Sequence, residues 1–218
     1  DKIYITGNTV IDALKTTVKQ NYAFSDATLN NIDFENRRVI VVTAHRRENL
    51  GKPLENICNA LKRIVTEHED VEVVYPVHLN PAVREVAFGI LGNMPRVKLI
   101  DPLTVDELHN AVSRRFMVMT DSGGIQEEAP ALGKPVLVLR RETERPEAVA
   151  AGTVKIAGVD EDVIYNLASE LLNSKEEYMR MAHAANPYGD GRASERIIDA
   201  ILYYFGIKSE RPADFSAE

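Results

Sequence analysis

Between residues 39 and 157 the chain repeats one pattern, a short run of consecutive apolar residues followed by a longer stretch whose apolar positions recur at helical spacing. The runs are 39–43, 71–76, 97–100, 116–120, 135–139 and 154–157. Continuous runs, rather than alternation with polar residues, mark strands covered on both faces. The intervening stretches carry helix punctuation. Pro53 stands at a first-turn position ahead of Leu54, Ile57, Leu61, Ile64 and Val65, Asn80-Pro81 opens a helix that Gly92 closes, and Thr104 with Glu107 makes a capping box. Strand and helix in strict alternation leave one economical solution, an α/β fold with a Rossmann-like, doubly wound parallel sheet.

The flanks are less regular. Residues 3–6 read as a short strand, Thr9 as the N-cap of a helix through Lys19, and 21–38 as a polar connector. After Gly158 come helices near 160–173 and 175–185, the turn Asn186-Pro187-Tyr188-Gly189-Asp190-Gly191, and a last helix over about 192–205. The apolar arc of that helix, from Ile197 to Phe205, is wider than one contact face needs, and the polar tail 208–218 is expected to be mobile. Three parts follow: 1–38 as hinge strand, helix and connector, 39–191 as a ligand-binding domain, and 192–218 as a crossover helix and tail. The chain opens on Asp1 with neither an initiator methionine nor a signal peptide, as a piece of a longer chain would.

In such a sheet ligands bind beyond the carboxyl ends of the strands, where the strand order reverses. Five loops therefore matter: Ala44-His45-Arg46-Arg47-Glu48-Asn49, His78-Leu79-Asn80, Asp101-Pro102-Leu103, Asp121-Ser122-Gly123-Gly124, and Arg140 to Glu147. A chain with net charge −7 has thus set His45, Arg46, Arg47, His78, Arg140, Arg141 and Arg145 on one edge. The fourth loop is poor in side chains and runs into a helix, whose free N–H groups and dipole favour an anion, most often phosphate. Glu127 and Glu128, one turn on, suit sugar hydroxyls beside that phosphate, Glu128 by the better geometry. Asp121 either caps the turn or touches the ligand. His78 either contacts the ligand or satisfies a hydrogen bond in the core.

Composition excludes other classes. The acidic balance argues against a general nucleic-acid binder, and no apolar run reaches membrane-spanning length. Cys58 is the single cysteine, so there is no internal disulfide or cysteine-rich metal site; its place on the apolar side of a helix points to packing in a reducing compartment. The first loop lacks Gly-x-Gly-x-x-Gly, no Walker-type Gly-Lys-Ser/Thr occurs, and no metal-ligand spacing is present.

The segments Ile5-Thr6-Gly7-Asn8-Thr9-Val10-Ile11-Asp12, Thr43-Ala44-His45-Arg46-Arg47-Glu48-Asn49, Pro76-Val77-His78, Thr120-Asp121-Ser122-Gly123-Gly124-Ile125-Gln126-Glu127-Glu128-Ala129-Pro130, Thr143-Glu144-Arg145-Pro146-Glu147 and Asn186-Pro187-Tyr188-Gly189-Asp190-Gly191 occur in this order. Together the set resembles the non-hydrolysing UDP-N-acetylglucosamine 2-epimerases. The resemblance implies the C-terminal half of a glycosyltransferase-B-type architecture and an isomerase needing no cofactor. Its reaction interconverts UDP-N-acetylglucosamine and UDP-N-acetylmannosamine by eliminating and re-adding UDP. By the same resemblance Ser122, Gly123 and Gly124 bind the diphosphate, Glu128 the ribose, and His45 assists the departing UDP; Arg145 joins the UDP-binding set, and Leu108 falls where some members place an aromatic ring by the uracil. Arg46 and His78 match positions that bind a second, activating UDP-N-acetylhexosamine. A cytoplasmic homodimer serving cell-wall polysaccharide synthesis is implied, with proton-moving carboxylates in an N-terminal domain that this chain lacks. Two alternatives share the scaffold, the C-terminal domain of a UDP-sugar glycosyltransferase and a non-catalytic UDP-sugar sensor.

Overall fold

A computed structural model describes residues 2–217. Six strands form one wholly parallel sheet: β1 (Arg38–Thr43), β2 (Val71–Pro76), β3 (Val97–Ile100), β4 (Met117–Thr120), β5 (Val136–Val138) and β6 (Val154–Ile156). Their spatial order is β3-β2-β1-β4-β5-β6, so the order reverses between β1 and β4. There Ile40 pairs with Met117 and Thr43 with Thr120. This is the doubly wound arrangement expected of alternating apolar runs and helices, and it fixes where a crevice opens.

The central strand shows why the runs are continuous. Ile40 and Val42 of β1 pack on one face with Leu54, Ile57, Leu61 and Ile64 of α3 (Lys52–Glu67), backed by α4 (Pro81–Leu91) and α8 (Glu161–Asn173). Val39 and Val41 pack on the other face with Ala111 and Val112 of α5 (Val105–Arg114) and Ile125 and Ala129 of α6 (Gly123–Ala131). All four β1 residues are fully buried, and burying each contributes about 1.5–3 kcal/mol, so a polar residue anywhere in the run would be costly. Helix ends follow the local signals. Asn80 caps α4, and the Thr104–Glu107 capping box opens α5 in both directions.

The flanks depart from the sequence expectation. Residues 3–6 form no strand. They run beside the tail instead: Ile5 N donates to Asp214 Oδ1 (3.0 Å), Phe215 N to Ile5 O (2.6 Å), and Arg211 Nη2 to Ile3 O (2.9 Å). The first helix, α1 (Thr9–Thr17), is capped by Asn8, not Thr9, because the Asn8 side chain accepts from Val10 N. The connector contains a short helix, α2 (Ala27–Asn30), and its Phe24, Leu29 and Ile32 are buried. Beyond the sheet lie α7 (Pro146–Ala151), α9 (Lys175–Ala182) and α10 (Ala193–Tyr204). Asp12 of α1 accepts from Ala193 N and Ser194 N, fastening the start of α10 to the entry helix. On α10 the side chains of Ile198, Ile201, Tyr204 and Phe205 stay more than half exposed.

Candidate functional site

The crevice at the strand reversal is assembled around one carboxylate. Asp121 follows β4 and is fully buried. Its Oδ2 accepts from His45 N (2.8 Å), Arg46 N (2.7 Å) and Asn49 Nδ2 (3.1 Å), and Asn49 Nδ2 also donates to Leu139 O (3.0 Å). Two side chains, Asp121 and Asn49, thus tie together the loops after β1, β4 and β5. Hydrogen bonds to a charged acceptor are worth about 1.5–3 kcal/mol each, enough to hold a loop. Asp121 therefore braces the neighbouring loop after β1, and among the described residues none of its hydrogen bonds goes to its own turn, 122–124. Its other oxygen, Oδ1, is buried without a hydrogen-bond partner, and His45 Nδ1 stands 3.9 Å away. Beneath, Thr43 and Thr120 share a buried 2.6 Å hydroxyl contact at the strand ends.

Beside this knot lies a cavity of about 300 Å³. His45, His78, Ser122, Gly124, Glu128 and His109 supply its polar lining, and Pro102, Leu103, Val105, Leu108 and Ile125 its apolar wall. The first turn of α6 faces it, and the N-cap Ser122 makes no side-chain bond to that turn's amides. Those amides are the orphan donors of a helix start. A Cβ on Gly123 would sit 2.6 Å from Glu144 Oε1, whereas one on Gly124 would meet nothing nearer than Glu128 Oε1 at 3.7 Å. A Cβ at Gly123 therefore requires the Glu144 carboxylate to move, while Gly124 has room for a side chain.

The two glutamates, which by default would be a solvated surface pair, are both largely buried and diverge. Glu127 turns away and receives Asn8 Nδ2 and Arg145 Nε on its two oxygens, while its backbone carbonyl accepts from Asn186 (3.0 Å). Glu128 turns into the cavity. Its Oε2 lies 3.3 Å from His109 Nε2.

Three arginines of the cationic rim are held in ion pairs. Arg46 Nη2 meets Glu144 Oε1 at 3.0 Å, and Arg140 pairs with both Glu144 and Glu48. Burial works against the Glu144 carboxylate, yet its own backbone amide, Arg140 and Arg46 hold it below the usual carboxylate range. Arg145 is committed to Glu127, whose hydrogen bond raises the guanidinium above its ordinary value. Neither Arg46 nor Arg145 lines the cavity. His78 is exposed rather than satisfied in the core; its Nδ1 accepts from Asn80 N (3.1 Å), and its ring stands 5.1 Å from that of His45.

Sequence reasoning passed over His109, Asn49 and Thr17. The available signal was in α5, which buries Glu107, His109 and Asn110 on a face that helical spacing alone would reserve for apolar residues. Each has a partner across the gap to the entry segment: Glu107 with Ser25, Asn110 with Lys19 N and Thr17 O, His109 with Thr17 Oγ1.

Comparison with known proteins supplies an independent measure. A family model described as UDP-N-acetylglucosamine 2-epimerase matches residues 1–202. The UDP-N-acetylglucosamine 2-epimerase of Bacillus subtilis is 54% identical over the whole chain, which covers 56% of that protein. Among solved structures, the S. aureus MnaA–UDP co-structure superposes with a TM-score of 0.90 at 50% identity, over 98% of this chain and 57% of that one. The UDP-GlcNAc 2-epimerase from Neisseria meningitidis bound to UDP-GlcNAc superposes with a TM-score of 0.81 at 42% identity, over 91% of this chain and 54% of that one. The chain thus spans about half the length of the relatives it matches.

Proposed function

Because the chain belongs to the UDP-N-acetylglucosamine 2-epimerase family, we propose that it is the nucleotide-holding half of such an enzyme, one converting UDP-N-acetylglucosamine to UDP-N-acetylmannosamine. The observation that carries this reading is the Asp121 knot, which sets the His45 loop against an uncapped helix start beside an apolar slot. The diphosphate rests on the amides of Ser122, Gly123 and Gly124, where the helix dipole favours an anion. The uracil enters between Leu103, Leu108 and Val105, an aliphatic pocket standing in for an aromatic platform. Glu128 accepts from the ribose hydroxyls.

Elimination of UDP leaves negative charge on the diphosphate, and fixed donors that need no reorganisation stabilise it as it develops. His45, held above the buried Asp121 carboxylate, donates to the departing oxygen and takes the proton back when UDP re-adds. Arg145 serves this site indirectly, through Glu127, and Arg46 and His78 stand at its outer edge, where a second UDP-sugar would lie. Removal and return of the C2 proton belongs to the part of the longer relatives that this chain does not span. We place the whole enzyme in the cytoplasm as a homodimer of the glycosyltransferase-B architecture; no helix among the described residues is long and apolar enough to cross a membrane.

Calorimetric titration of the chain with UDP tests the proposal. Saturable one-to-one binding is expected, and Gly123→Val, which drives a Cβ onto Glu144, should abolish it while leaving the thermal transition cooperative. A flat titration by the unsubstituted chain would end the nucleotide reading. Epimerisation by this chain alone would end the assignment of proton transfer to the missing portion.

A further inference from the structure

His109 is 3% exposed and sits on α5 between two partners, Thr17 Oγ1 at 2.8 Å from Nδ1 and Glu128 Oε2 at 3.3 Å from Nε2. A neutral imidazole has one donor and one acceptor, so the group on one nitrogen decides what the other presents. The Glu128 carboxylate only accepts, so the proton facing it is on Nε2, and the Thr17 hydroxyl shares its own proton between Nδ1 and Ala13 O, which lies 3.1 Å away. Glu128 is thereby fixed at Oε2, and its Oε1 is the atom facing the first turn of α6, the nearest to a Cβ built on Gly124. A glutamate on a helix otherwise swings through several rotamers, and ordering it on binding costs free energy.

We infer that His109, oriented by Thr17, positions Glu128 and thereby sets the site's preference for a ribonucleotide over one lacking the ribose hydroxyls. The inference rests on the nucleotide reading above. His109 is a positioning residue, acting on the ligand only through the carboxylate it holds, much as outer-shell partners orient the ligands of a metal. Thr17 is the last residue of α1, so the ribose carboxylate is anchored to the entry helix rather than to α6 alone.

The test compares UDP with 2′,3′-dideoxy-UDP by titration calorimetry on the full chain. For the unsubstituted chain UDP should bind about tenfold more tightly, the order of one hydrogen bond to a charged group. His109→Phe keeps a flat ring without the donor and should remove that advantage, weakening UDP about tenfold while leaving dideoxy-UDP within twofold. His109→Gln, which keeps an N–H for Glu128, should restore most of the difference. Thr17→Val, which leaves the imidazole in place, should give a smaller loss, about threefold, again for UDP only; it carries the test if His109→Phe does not fold. Equal weakening of both ligands, or none, would overturn the inference and leave the nucleotide reading standing. No saturable UDP binding before substitution would overturn both.

Discussion

Arg115 follows α5 and is wholly buried, and none of its three guanidinium nitrogens has a hydrogen-bond partner among the described residues. Burial pushes it well below the usual guanidinium range, with Tyr178 nearby opposing the shift. An unpaired buried charge is costly, and an apolar side chain of similar volume removes the cost. Arg115→Met should therefore raise the free energy of unfolding by about 1–4 kcal/mol, read from urea denaturation at constant m-value. Lys134 feels the same environment: burial first, and then the Arg115 charge, push its ammonium down to about 8. A base whose folded pKa is depressed is better tolerated uncharged, so its penalty is full below about pH 8 and fades as pH rises toward the unfolded value. The difference in melting temperature between Lys134→Met and the parent chain should accordingly be largest at pH 7 and shrink by pH 10. None of this could be read from Ser113-Arg114-Arg115, which looks like an ordinary cationic helix end. The sequence does name the chemistry of a residue such as His109, but which carboxylate it meets depends on how α5 is rotated against α1.

Among the elements, α6 is fastened twice, by its first turn to the loops around Asp121 and by Glu127 to the entry and exit segments. Glu127→Ala removes the acceptor of Asn8 and Arg145 and should cost about 1–3 kcal/mol of stability in thermal or urea unfolding, whereas Glu147→Ala on the surface should stay within about 0.5 kcal/mol. Strands and capped helices were legible in the sequence because each follows from local rules: continuous apolar runs, Pro81 after a capping Asn80, the Thr104–Glu107 box. Residues 3–6 and 21–38 were not, since what orders them is distant in the chain. Phe215 and Asp214 tie down the first, and Glu107 of α5 holds the second through Ser25. The gathered cations were legible as a group on one edge, while their pairing with Glu48 and Glu144 of the same edge loops and with Glu127 of α6 emerged only with the fold.

For the molecule as a whole, α10 gathers on one face exposed apolar residues of a kind that elsewhere stand apart, such as Leu79, Val105 and Val163. Ile198, Ile201, Tyr204 and Phe205 form part of a surface larger than scattered single residues would make. The doubly substituted Ile198→Asp, Ile201→Asp chain should unfold within about 0.5 kcal/mol of the parent per site, since neither side chain is in the core. Sedimentation should show concentration-dependent association of the parent chain that the substitution suppresses. The same region bears on how the domain connects to anything beyond it. Residues 3–5 and 211–215 lie against one another, joined through Arg211, Asp214 and Phe215. The polypeptide therefore arrives and departs at a single point on the perimeter. A fold with both leads at one spot can ride as a guest in the surface loop of a host protein without stretching either, and a bridge of about six residues would close it into a ring.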